Sequence, residues 1–130
     1  MSTSTSTILS VPMGDARDYR ITATKKSDGT PYVFQTNDKL VFTIKRSPTD
    51  ATPLVQRKSL VAGGSDAEVA IVSGTGGIVD VHLLEADTLA LTPPGTYVWD
   101  LVVQSGIDGK ERTVVTGQIR SWVRVGPAIP

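Results

Sequence analysis

The chain has 130 residues, close to the commonest single-domain size, and a domain this long can hide about two thirds of its unfolded surface in one core. Hydrophobic residues make up 39% and aromatic ones 5%, so that core is aliphatic. There is no cysteine, which excludes disulfides and thiolate metal sites, and thirteen Lys/Arg against thirteen Asp/Glu argue against nucleic acid as the main partner.

The charge is unevenly spread. Residues 1–60 hold nine Lys/Arg and five Asp (net +4), and residues 61–130 hold four Lys/Arg and eight Asp/Glu (net −4). If the two halves interleave in space, this asymmetry need not survive as two charged faces. No stretch approaches the ~18 apolar residues of a membrane helix, and Met1 to Thr7 lacks the basic start and apolar run of a signal peptide. Neither a membrane partner nor export by that route is expected.

Residues 1–14 are Ser/Thr-rich and then contain Pro12 and Gly14, which reads as a flexible N-terminal arm, or an arm that orders on a neighbouring subunit. From there, residues 15–126 form the predicted domain and 127–130 an extended tail. Tyr19, Ile21 and Ala23 alternate with polar residues as a half-buried strand should. Asp28-Gly29 supplies a turn. Leu40, Phe42 and Ile44 make the next alternation, Ser47 to Pro53 reads as a loop, and Leu54 to Val61 as a less regular strand containing Arg57 and Lys58.

Two glycine-rich stretches, Ala62 to Ser65 and Ser73 to Gly77, bracket a short strand over Glu68 to Val72. Val79, Val81 and Leu83 then share one face of a strand, with Asp80 and His82 on the other. Glu85 to Leu91 suits one helical turn that Pro93-Pro94 would end. Tyr97, Trp99, Leu101 and Val103 give the clearest strand, Asp108-Gly109 the pair typical of a tight hairpin, and Arg112 to Val125 its partner. Seven or eight short strands, with turns too close for crossover helices, predict an all-β antiparallel sandwich, with a small barrel as rival.

Chemistry-bearing constellations are weak. The Ser73 to Gly77 run carries no following lysine and opens a strand, so it reads as a flexible hairpin loop rather than a phosphate loop. Asp80 and His82 share a strand face and could begin a metal site, but no further ligands are signalled, so a solvated face is expected and no metal or cofactor. One histidine, no cysteine and no Gly-x-Ser-x-Gly elbow leave nucleophilic catalysis without its parts. The chain is therefore read as a non-enzyme.

The candidate site is a contact surface. If Ile119, Ser121, Val123 and Val125 face inward, Arg120, Trp122 and Arg124 share the outward face, and Trp and Arg dominate interface hot spots. A bulge at Gly117 would instead flip the register and bury Trp122. Both readings stand at this point.

Pro94-Gly95-Thr96-Tyr97-Val98-Trp99 resembles the late corner of an immunoglobulin-like domain, where a tyrosine opens a strand and ties the corner through its hydroxyl. Trp99 stands where antibody domains carry a cysteine. The longer order of features is Gly14-Asp15, Tyr19 to Thr24, Asp28-Gly29, Leu40 to Lys45, Gly95 to Val103, Asp108-Gly109 and Thr113 to Val125. It resembles the N-terminal domains of bacteriophage upper-baseplate and related tail proteins. That resemblance implies an immunoglobulin-like sandwich and a virion structural protein, assembled in the host cytoplasm, whose partners are other virion proteins and itself. A capsid decoration or neck protein of the same fold is one alternative. A carbohydrate-binding or adhesion module is another, for which Trp122, Tyr32 and Tyr97 are the available rings.

Overall fold

The computed structural model describes residues 7–25, 27–59 and 68–123. Eight strands run in chain order: β1 (Thr7–Pro12), β2 (Arg17–Thr22), β3 (Lys39–Lys45), β4 (Val55–Ser59), β5 (Val69–Ser73), β6 (Ile78–Leu83), β7 (Gly95–Gln104) and β8 (Glu111–Trp122). A single short helix, α1 (Glu85–Leu89), precedes β7. The strands form a five-stranded sheet in the order β1-β8-β7-β3-β4 and a three-stranded sheet in the order β2-β6-β5. The architecture is an all-β sandwich compatible with the immunoglobulin-like type.

Period-two alternation builds the core. Leu40, Phe42 and Ile44 of β3 and Leu101 of β7 are fully buried, and Tyr97, Trp99 and Val103 nearly so. They meet Ile21, Val69, Val79, Val81 and Leu83 from the smaller sheet. Each such side chain contributes about 1.5–3 kcal/mol on leaving water. The Phe42 and Trp99 rings lie 5.4 Å apart at a 32° tilt, and Trp99 Nε1 donates to the Gln118 carbonyl at 3.1 Å. The tryptophan is thus an apolar plug with its one polar atom satisfied. Tyr97 Oη donates to the Pro93 carbonyl, which is the corner tie expected from the sequence.

Two expectations are corrected. Thr7–Pro12, placed by sequence in a flexible arm, is the edge strand β1, with Val11 fully buried; residues 1–6 lie outside the described residues. The sheet is also mixed: β1 runs parallel to β8, while the other named pairs are antiparallel. The reason is the path of the chain, since β1 leads through the Met13-Gly14 turn into β2 of the opposite sheet rather than into a hairpin with its neighbour. That turn is clamped by Thr88, whose hydroxyl accepts from the Gly14 amide and donates to the Asp15 carbonyl, both at 2.9 Å.

The edges are guarded. Tyr19 Oη donates to the Ser10 carbonyl of β1 at 2.7 Å, and Glu68 Oε1 accepts from the Lys58 amide of β4 at 3.0 Å. On β4, Arg57 points under the sheet to Asp87 at 2.8 Å, which in turn accepts from the Leu84 amide at the start of α1. An inward arginine explains why β4 read as irregular.

Candidate functional site

The site is the outer face of the five-stranded sheet, and the register of β8 decides what stands on it. Leu101 pairs with Val115 and Val102 with Thr113, so β8 carries one extra residue, Val114, opposite that step. Val114 and Val115 are both buried, and from Val115 onward odd positions point inward. Ile119 and Ser121 are therefore buried, the latter donating to the Leu91 carbonyl at 2.8 Å. Arg120 and Trp122 point outward, with Trp122 39% exposed. The bulge lies at Val114, not at Gly117, and this keeps Trp122 out of the core.

Other parts of the expected surface differ. Val123, expected inward, is 67% exposed because β8 ends at Trp122. Arg124 and Val125 lie outside the described residues. On the edge strand, Pro12 is the register partner of Trp122 and Ser10 that of Arg120.

The same face carries a groove that sequence reasoning missed. It has a volume of about 540 Å³ and runs between Pro48 of the β3–β4 loop and Thr116 and Gln118 of β8, with Lys45, Val98 and Asp100 along it. A second hollow of about 350 Å³ adjoins it, sharing Lys45 and Asp100. Asp100 is thus an acid in the middle of a central strand. Burial pushes its carboxyl above the ordinary value, and the Lys45 ammonium partly offsets this. Aspartate is depleted in strands, so Asp100 within Tyr97-Val-Trp-Asp-Leu was the available signal.

The opposite outer face is a charge ladder. Arg20 grips Asp80 with two hydrogen bonds of 2.9 and 3.1 Å, and His82 Nδ1 lies 2.8 Å from Asp18 Oδ1. Asp80 and His82 share this face, each engaged across to β2. Among the described residues no group of three or more His, Asp or Glu is arranged to hold a metal. The glycine run turns β5 into β6 and is tied down rather than loose: the Gly74 carbonyl accepts from the Phe34 amide at 2.9 Å, and a Cβ on Gly77 would sit 2.5 Å from the Ala23 carbonyl oxygen. Of the rings considered for sugar binding, Tyr97 is buried with its hydroxyl occupied, and Tyr32 is half-buried edge-on to Phe34, so Trp122 alone of the three stands exposed.

No protein-family model and no curated protein matches the sequence. Solved structures do match. The N-terminal domain of ORF48 from phage TP901-1 superposes with a TM-score of 0.51 at 13% identity, covering 90% of this chain and 84% of that one. The NK cell receptor Nkp44, a triggering partner in natural cytotoxicity, gives a TM-score of 0.50 at 12% identity, covering 91% and 99%. The likeness is one of fold. A phage protein domain and a receptor domain share this sandwich, so the functional reading turns on the surface.

Proposed function

We propose that this chain is a non-enzymatic structural component of a phage particle, in the tail, the baseplate or the particle surface. It works through contacts with other virion proteins and with copies of itself. The match to a phage protein's N-terminal domain over nine tenths of the chain is one of fold and suggests the phage context, in line with the order of motifs in the sequence; what carries the contact reading is the outer face of β8. The outward Trp122 and Arg120 on β8 support it, because a half-exposed tryptophan beside an arginine is the composition of an interface anchor. The same contacts would serve a capsid decoration or neck protein.

Light scattering of the native protein, beside Trp122→Ala, tests the reading. The wild type is expected to exceed one chain mass or to bind a protein encoded beside it. Trp122→Ala should weaken that association at least tenfold while the melting temperature holds, as for a surface substitution. A chain that stays single at high concentration, ignores its gene neighbours' products and binds glycans on an array would replace this reading with the adhesion module.

A further inference from the structure

We infer that the outer-face groove receives the β7–β8 hairpin tip of a second copy, so that copies join head to tail with Ile107 seated in the groove and Lys110 facing Asp100. The inference rests on the self-associating reading above and names the contact.

Ile107 is 82% exposed, the most exposed large hydrophobic residue among those described. Exposure on a loose tip would mean little, but this tip is braced from several sides. The Ser105 amide donates to the Lys110 carbonyl and the Gly109 amide to the Ser105 carbonyl, both at 2.9 Å. The Ile107 amide donates to Ser105 Oγ at 3.2 Å. Asp108 accepts from the Lys110 amide at 2.9 Å and from Arg112 at 2.8 Å. Buried Asp38 accepts from the Gly106 amide at 3.1 Å, anchoring the tip to the body of the domain. A β-branched side chain held on such a frame loses little freedom on docking.

The groove supplies what that knob lacks. Val98 and Pro48 offer apolar surface, and the 540 Å³ volume accommodates an aliphatic side chain with its flanking backbone. Asp100 is half-buried in the groove that Lys45 also lines, so a further cation is electrostatically welcome. Lys110, at the base of the tip, is exposed and brings one. Charge and shape complement each other between two different surfaces.

A chain cannot satisfy this contact by itself. Val98 lies six residues before Gln104, where β7 gives way to the tip, about 20 Å along the strand at the usual rise per residue. The contact is therefore heterologous: every copy donates one tip and accepts another, giving a closed ring or an open filament according to the rotation between neighbours. The groove wall formed by Thr116 and Gln118 continues along β8 into Arg120 and Trp122, so the tip docks on the face already proposed as the contact surface.

Complementary variants test it by sedimentation velocity. Ile107→Asp removes the knob and Thr116→Arg fills the groove, both at exposed positions. Each alone is expected to run as a single chain with unchanged circular dichroism. Mixed one to one, they should form a two-chain species and nothing larger, because one intact tip meets one intact groove. The pair Lys110→Glu and Asp100→Lys repeats the logic by charge and should likewise assemble only as a mixture. A wild type that assembles, with variants that keep its mass or mixtures that stay single, overturns the head-to-tail contact and leaves self-association standing. A wild type that is a single chain removes both.

Discussion

Asp100 and Asp108 carry the same side chain, and the fold moves them in opposite directions. Asp100 is raised from its ordinary 3.8, chiefly by burial. Just above that value the folded chain binds more protons than the unfolded one, so stability falls as pH rises through the folded pKa. Asp108 is lowered to about 2, first by the Arg112 hydrogen bond and then by the Lys110 amide. Its contribution is present above 3.8 and is lost as pH falls towards about 2. Urea unfolding of the dilute single chain should therefore find Asp100→Asn more stable than wild type at pH 7 and equal to it near pH 3. Asp108→Asn should be less stable at pH 7, with the difference closing near pH 2. Asp108 finds its partners two and four residues on, within the same hairpin, whereas the burial of Asp100 is set across strands and is not legible from its neighbours in sequence.

At the scale of elements, alternation was a reliable guide where strands were central and a poor one where they ended. Leu40, Phe42 and Ile44 are all fully buried, as their spacing predicts. Thr7–Pro12 has little to announce a strand, yet it pairs with β8 because an open sheet edge needs a partner. The bulge at Val114 has the largest consequence. Without it, the register set by the Asp108-Gly109 hairpin would turn Gln118, Arg120 and Trp122 inward and Ile119 outward. Deleting Val114 itself removes the extra residue and lets Thr113 and Val115 alternate, so Ile119 stays inward and Arg120 outward, and a cooperative melt should survive at a stability lowered by the loss of one buried valine. Deleting Ala51, exposed in the β3–β4 loop, should leave a melting transition in place. Circular dichroism melts of the two deletions make the comparison.

Over the whole molecule, each sheet mixes strands from the two halves of the chain: β8 and β7 of the second half lie between β1 and β3 of the first, and β2 of the first half pairs with β6 of the second. The +4 and −4 halves of the sequence are thereby interleaved. The same interleaving makes one core of both sheets, so differential scanning calorimetry should show a single transition with calorimetric and van't Hoff enthalpies equal. Its heat-capacity change should be about 1.7 kcal/mol/K for a chain this long. A separate early transition would mean that the smaller sheet unfolds by itself. Sequence alone determined the all-β class, the inward set of the central strands and the aliphatic core, because each follows from local periodicity or composition, while the tyrosine-tied corner came from the resemblance carried by Pro94 to Trp99. Only the tertiary structure decided that β1 joins the sheet, that Trp122 faces outward and that Asp100 lies in a groove. Those outcomes depend on one extra residue in β8 and on which strands become neighbours, and long-range pairing leaves no periodic trace in the chain.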